Sequence, residues 1–300
     1  MRRKEKGISV FFIVVFAVLV LYALSMLLLL FWGVNTSLKT QNDFRKNVLG
    51  LPSGAPWNWA WDNYVYILRY FYVPVKREID GITTPVNVGI LEQVFNTLMY
   101  AGIGSLIATL VPCIVSYMAA KFDFRFGKIL VATVIVTLVI PIIGSQPSEI
   151  QLLRSLSLYD SFLGAWVLKF NFLGMYFLVF YGTFRGVSKE YAEAAYIDGA
   201  SELTVMLRVM IPLVKVTLMT VICIKFIEFW NDYQVPLLYL PSHPTLAYGV
   251  FSLSTSSIQG MNTVPMRMVA CVIVVIPVLV LFVVFRDRLM GNVSMGGIKE

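Results

Sequence analysis

Histidine occurs once in these 300 residues and cysteine three times, and that scarcity removes most site chemistry at the outset. His243 has no second histidine or cysteine near it, and Cys113, Cys223 and Cys271 lie inside apolar runs at spacings that match no metal site. They read as buried free thiols, and neither a metal nor a resident cofactor is expected. Charge is scarce too: 14% of the residues are Asp, Glu, Lys or Arg, where a soluble domain carries roughly a quarter. The net charge of +7 is dispersed beside apolar runs, so membrane orientation explains it more simply than nucleic acid. Those runs hold no Ser/His dyad or paired-Asp motif, which argues against an intramembrane enzyme. No internal repeat of the kind that marks many secondary transporters is present.

What is abundant is hydrocarbon: 58% of residues are hydrophobic and the mean hydropathy is +0.77. The basic cluster Arg2-Arg3-Lys4-Glu5-Lys6 precedes an apolar run from Ile8 to Trp32, longer than a secretory-signal core and sufficient for an uncleaved span. Further runs cover about Phe95 to Ala120, Ile129 to Ile143 with a break near Pro141, Phe162 to Phe184, Leu213 to Tyr239, and Met266 to Phe285. The sequence therefore predicts an all-α polytopic membrane protein with six transmembrane helices. Gly102, Gly104 and Ser105 in the second run suit close helix approach. The basic hinge Lys121–Lys128, the segment Arg185–Lys215 and Arg286/Arg288 fall on one side, whereas the short loops opposite, Gly144–Asp160 and Pro241–Pro265, hold one Arg or Lys between them. By the positive-inside rule both termini are expected in the cytoplasm. The long segment from Gly33 to about Leu91 is polar and rich in Trp, Tyr and Pro, and reads as an external loop with interfacial aromatics. The expected domains are 1–93 for the first span and this loop, 94–285 for the transmembrane core, and 286–300 for a cytoplasmic tail.

One stretch between the fourth and fifth runs does not belong in a bilayer: Ser188 to Glu202, running on to Ile211-Pro212. Ser188 is a suitable N-cap, and Glu190 and Glu193 place negative charge where a helix dipole favours it. Ala192, Ala194 and Ala195 leave a slim surface, Gly199 suits the left-handed residue that stops a helix, and Ser201 caps a second helix before Pro212. The expected product is a helix, a tight turn and a second helix on the cytoplasmic side, with Tyr191, Tyr196 and Ile197 as anchors for a groove. An interfacial helix that merely links two spans would share much of this pattern.

The spacing goes further. Glu193-Ala194-Ala195, three residues, Gly199, nine residues, then Val209-Met210-Ile211-Pro212 resembles the EAA motif of ABC-importer permeases, with Val209 for Ile and Ile211 for Leu. Ala194 to Ser201, Trp230-Asn231-Asp232-Tyr233 and the tail from Gly291 to Lys299 look similar to carbohydrate-uptake permeases, especially maltose-transporter-type inner-membrane permeases. The resemblance covers roughly Val94 to the C-terminus. It implies the type I ABC importer permease fold and a plasma-membrane protein of a bacterium or archaeon. It also implies an assembly with ABC ATPase subunits, a second permease subunit as a heterodimer, and an extracytoplasmic solute-binding protein. On the same resemblance the coupling positions at 188–212 are Glu190, Glu193, Ala194, Ala195, Asp198, Gly199 and Pro212. ATP and Mg belong on the partner ATPase, since Phe126-Gly127-Lys128-Ile129 lacks the glycine and Ser/Thr of a phosphate-binding loop.

Charges inside apolar runs are costly and face a protein interior or a water-filled cavity. Here they are Lys169 in the fourth run and Lys225, Glu228 and Asp232 in the fifth. Lys225 and Glu228 share a helix face, so mutual neutralisation and a path-lining role both remain open. Trp230, Asn231, Asp232 and Tyr233 add aromatic faces, an amide and a carboxylate, which suit a sugar. Asn231 and Asp232 are the preferred contacts for sugar or binding protein. The function expected is carbohydrate import through a permease in membrane lipid. An amino-acid or phosphate permease would share the coupling motif, and an ion-coupled carrier using Lys169, Lys225 and Glu228 is the remaining alternative.

Overall fold

Helices dominate the computed structural model, which describes residues 10–79, 81–122, 125–140, 144–255 and 261–290. The N-terminal basic cluster, the Pro141 break, part of the Lys121–Lys128 hinge and the tail from Gly291 lie outside the described residues. The chain divides into two compact units, Met1–Phe71 with Leu253–Val275, and Tyr72–Ser252 with Ile276–Glu300.

In the first unit, α1 (Val10–Ser37) is apolar on every face and exposed over almost its whole length, the pattern of a helix that meets lipid or partner helices. Its C-terminal end becomes polar and buried. Asn35, Thr36, Ser37 and Lys39 are all shielded. Lys39 Nζ donates to Asn47 O at 2.7 Å, Asn35 Nδ2 to Gly50 O at 2.7 Å, and Asn63 Nδ2 to the carbonyls of Ser37 and Lys39 at 2.9 Å each. Short helices α2 (Gln41–Lys46) and α3 (Asp62–Tyr70) complete this cap. The first part of the expected external loop is therefore folded around the end of the first span. Trp57 and Trp61 remain exposed, as interfacial aromatics would.

The second unit begins with an addition to the all-helical expectation. Strands β1 (Tyr72–Ile79) and β2 (Ile82–Gly89) pair antiparallel from Tyr72↔Gly89 to Ile79↔Ile82, and Gly81 takes φ +76° at the tip. The two-residue connection needs positive φ to follow the strand twist. Val73, Val75 and Val88 are buried.

Long helix α4 (Ile90–Lys121) follows, with a π-turn over Leu98–Ile103. Next come α5 (Arg125–Val139), α6 (Gln146–Ser155), α7 (Phe162–Val167), α8 (Met175–Gly186), α9 (Glu190–Ile197), α10 (Glu202–Leu213) and α11 (Lys215–Trp230). The series ends with α12 (Gln234–Tyr239), α13 (Leu246–Thr255) and α14 (Val264–Met290). Helix α4 packs against α8 and α11. At Gly104 the ring of Phe229 comes within 3.4 Å of where a Cβ would stand, whereas Gly102 faces open space. The small-residue expectation thus holds at one of its two glycines.

Among the described residues, α1, α4 and Val264–Val284 of α14 are long and apolar enough to cross a membrane alone, and the bent pair α10–α11 counts as a fourth. The third expected span is the shorter α5. The fourth is divided between α7 and α8, because Gly174 (φ +152°) and the Asn171 side chain, which accepts Leu173 N–H at 2.8 Å, hold the intervening chain out of helix. Six crossings are consistent with this arrangement, using short and broken helices as well as long ones. The expected loop Gly144–Asp160 contains α6, and the expected loop Pro241–Pro265 contains α13 and the start of α14. Apolar periodicity in helices this short is too brief to separate them from loop.

Candidate functional site

The first candidate surface is the polar stretch after α8. Ser188 Oγ accepts the Glu190 N–H at 3.3 Å, and α9 runs from Glu190 to Ile197. Its inner edge is alanine: Ala192, Ala195 and Ala200 pack on a core of Cys113, Tyr117, Phe180, Phe184, Val205, Met210 and Val214. Its outer edge carries Glu190, Tyr191, Glu193, Ala194 and Asp198, all exposed, and Ile197 is 87% exposed. Tyr196 is also exposed, on the side of α9 that approaches Tyr117.

Gly199 adopts φ +80°, the left-handed stop that the sequence suggests, and a Cβ there would meet nothing within 4 Å. Backbone conformation, not crowding, calls for glycine at this point. Ser201 accepts the Thr204 N–H at 3.4 Å and opens α10. A π-turn over Met206–Met210 precedes Pro212, which lacks an N–H to give to the preceding turn. Helix α11 then departs at 77°.

The second surface is a cleft of about 310 Å³ beside α4, α8 and α11, lined by Lys169, Asn171, Phe172, Tyr176, Lys225 and Glu228 among others. Lys225 Nζ and Glu228 Oε2 form an ion pair at 2.8 Å, and Lys225 Nζ also lies 4.9 Å from the Tyr176 ring centroid. The mutual neutralisation that the sequence left open is present in this ion pair, and both side chains line the cleft. Lys169 Nζ sits over the rings of Phe229 at 4.2 Å and Tyr100 at 5.3 Å, a cation–π setting for the charge.

The fifth-run candidates separate into different settings. Trp230 is buried against Phe226 at 5.4 Å, and Tyr233 stacks on Phe251 at 4.4 Å. Asn231 is exposed and gives its amide to Ile227 O at 2.8 Å. Asp232 Oδ2 accepts the Tyr100 hydroxyl at 2.7 Å, while Oδ1 accepts the N–H groups of Gln234 and Val235 at 3.0 and 3.1 Å. Its carboxylate joins α4 to the start of α12. Tyr176, which lines the cleft, and the fully buried Tyr100, which holds Asp232, are residues that sequence reasoning missed, since an isolated tyrosine in an apolar run carries no signal of its partner.

A third cluster gathers around Ser242. Arg77 donates to Ser242 O through Nε at 3.1 Å and through its terminal nitrogen at 2.8 Å, and pairs with Glu92. Asp160 Oδ1 accepts Ser242 N–H at 3.0 Å, and His243 Nδ1 lies 3.5 Å from the same oxygen. Burial alone would push the Asp160 carboxyl up, but the neighbouring His243 imidazole and the bond from Ser242 outweigh it and hold the group below the usual aspartate range. The hairpin, the end of the α6–α7 connection and the loop before α13 thus meet, as three segments on one side of a membrane should. On the opposite prediction, Lys121 Nζ reaches Val187 O at 2.6 Å, joining two segments expected in the cytoplasm.

The family described as binding-protein-dependent transport system inner membrane component matches residues 113–294, more than half of the chain. The chain is similar to a diacetylchitobiose uptake system permease protein of Streptomyces coelicolor, 23% identical over 288 residues that cover 93% of this chain and 86% of that protein. It is also similar to an arabinooligosaccharides transport system permease protein of Bacillus subtilis, 24% identical over 228 residues, 75% of this chain and 80% of that one. Among solved structures, a bacterial ABC transporter involved in the import of the acidic polysaccharide alginate shares the fold, with a TM-score of 0.72, 20% identity, and coverage of 96% of this chain and 99% of that one. The helical architecture is that of an ABC importer permease. The chain belongs to the binding-protein-dependent transport system inner membrane components, a multi-pass membrane protein that is not itself an enzyme and works with an ATPase and a solute-binding protein.

Proposed function

We propose that this chain is the permease of an ATP-driven importer that carries a carbohydrate, of the oligosaccharide class, across the cytoplasmic membrane of a bacterium or archaeon. The observation that carries the sugar assignment is that similar permeases spread along most of the chain are named for oligosaccharide uptake. The cleft lends chemical support: Tyr176, Phe172 and Phe229 offer ring faces for sugar C–H groups, and Lys169, Lys225, Glu228 and Asn171 offer hydrogen bonds.

The outer edge of α9 is the surface offered to the ATPase. Glu190, Glu193, Ala194 and Asp198 face outward with Ile197, Ala195 seats the helix on its core, Gly199 ends it, and Pro212 stands at the bend into α11. ATP and Mg bind on that partner. A second permease forms a heterodimer with this chain, the solute-binding protein docks at the end where Ser242 lies, lipid surrounds the spans, and both termini are cytoplasmic. The working division remains 1–93, 94–285 and 286–300.

The test is the complete transporter, reconstituted with its ATPase, partner permease and binding protein. Gly199→Asp should leave the chain inserted while ATPase association and ATP-dependent uptake of labelled oligosaccharide fall. Normal uptake in that variant sinks the coupling assignment. Stimulation of ATP hydrolysis by amino acids or phosphate, with none by oligosaccharides, sinks the sugar assignment.

A further inference from the structure

One turn of the cap in the first unit has an apolar front and a polar, bonded back. Val48, Leu49 and Leu51 are 45%, 80% and 58% exposed. Gly50 lets the turn close, since a Cβ there would stand 2.6 Å from the Asn47 side chain. The backbone of the same turn is bonded within the chain. Trp32 Nε1 and Lys39 Nζ donate to Val48 O at 3.0 and 3.3 Å, and Lys39 Nζ donates to Asn47 O at 2.7 Å. Asn35 Nδ2 donates to Gly50 O at 2.7 Å and Asn47 Nδ2 to Leu51 O at 3.1 Å, while Asn47 Oδ1 accepts the Gly50 N–H at 2.7 Å. A turn in water can leave such groups to solvent. Hydrocarbon offers them no partner, so a turn that meets lipid must bond them itself.

The same bonds fix the depth of the turn. Trp32 and Asn35 hold residues 48–50 beside the point where α1 changes from apolar to polar, at Asn35, Thr36 and Ser37. From Val10 to Trp32 the helix rises about 33 Å at 1.5 Å per residue, and a hydrocarbon core is about 30 Å thick. When α1 crosses the bilayer, Trp32 therefore stands at one boundary, the level that suits an indole, with the turn alongside. We propose that Val48, Leu49 and Leu51 insert into the leaflet around the C-terminal end of α1, an anchor that holds the cap on the membrane. Lipid is the occupant because the exposed apolar surface of α1 reaches the same level at Phe31 and Val34. The turn's bonded carbonyls also leave little for a protein partner to grip.

The experiment places a nitroxide on Leu49→Cys in the full chain in phosphatidylcholine nanodiscs, with Cys271→Ala and the buried Cys113 and Cys223 retained. Leu29→Cys, exposed on α1, is the bilayer reference, and Glu190→Cys, exposed on the polar helix α9, is the water reference. Spin relaxation should show dissolved oxygen reaching the Leu49→Cys label more readily than a soluble nickel chelate does, as for Leu29→Cys and opposite to Glu190→Cys. That preference should survive assembly with the ATPase, second permease and binding protein. With Leu49→Asp and Leu51→Asp together, a label on Val48→Cys should lose its oxygen preference. Leu49→Met with Leu51→Met should keep it, which separates loss of apolar character from loss of fold. Nickel access at Leu49→Cys equal to that at Glu190→Cys puts the turn in water and overturns the anchor. So does low access to both reagents in the assembled transporter, which puts a protein on the turn. A Val48→Cys label indifferent to the aspartate pair overturns it as well.

Discussion

Asp232 provides the sharpest test of which fifth-run residues touch cargo and which hold the bundle. Its Oδ2 accepts the buried Tyr100 hydroxyl at 2.7 Å, and its Oδ1 caps two backbone N–H groups of α12. A hydrogen bond to a charged partner contributes about 1.5–3 kcal/mol, and loss of a helix cap costs about 1 kcal/mol. Asp232→Ala should therefore destabilise by about 2.5–4 kcal/mol on these two contributions. Asn keeps an oxygen for the cap and can donate its amide to the Tyr100 oxygen, so Asp232→Asn should lose only about 1 kcal/mol, the difference between charged and neutral bonds. Tyr100→Phe, measured with Asp232→Ala as a double-mutant cycle, should return a coupling of about 1.5–3 kcal/mol. The assay is thermal unfolding in detergent, read by labelling of Cys113 and Cys223, both buried in the native chain. Uptake is followed in parallel. A coupling near zero refutes the strut. So does Asp232→Asn with unchanged thermal midpoint and a raised KM for sugar, which would make the carboxylate a cargo contact.

Gly199→Ala should cost about 1–2 kcal/mol from left-handed backbone alone, and Gly199→Asn distinctly less; equal losses in ATPase association for both would mean that space, not φ, matters there. The Asp160 carboxyl is held below its ordinary value in the folded chain. It therefore contributes stability above the unfolded aspartate range, and that contribution disappears as pH falls through the folded value. Asp160→Asn should flatten the acid limb of the thermal midpoint below about pH 4, and an unaltered limb would exclude this group. Arg77→Ala should cost about 1–3 kcal/mol by unpinning Ser242 O, seen as faster amide exchange around residues 240–245; unchanged exchange would show that the clamp is dispensable.

The outer spans were legible because continuous apolar sequence is sufficient to specify them. From Val10 onward the run Ile8 to Trp32 lies within α1, whose C-terminal end is polar, and Phe95 to Ala120 falls inside α4. The fourth run was not legible as drawn: composition from Phe162 to Phe184 is apolar throughout, yet a single asparagine side chain and a glycine in an unusual conformation divide it. The hairpin carries a readable local signal. Asp80-Gly81, between alternating residues on each side, is among the strongest short-range turn signatures, but Pro74 and Pro85 argue against strand in a central position. A lone two-stranded ribbon tolerates them. At the exposed helix, Gly199 and Ser201 could be read because caps and stops are local chemistry. The tie from Asp232 to Tyr100 spans 132 residues, and Lys169 lies over rings from two other helices. No periodicity encodes such distant pairings.

The bend between α10 and α11 has a mechanical consequence. Helix α10, Glu202–Leu213, is about 18 Å long at 1.5 Å per residue, and it meets the next span at 77°. Two arms set nearly at right angles make a bell crank with Val214 as its pivot. A rocking of about 10° at the pivot moves the far end of an arm that long by about 3 Å. Under the proposed coupling role, motion imposed on α10 would be converted into tilt along the span that carries Lys225 and Glu228. Val214 is buried in the same core that seats α9, so the pivot is fixed beside the helix proposed to meet the ATPase, and on that proposal stiffness there would set how much of a stroke reaches the cleft.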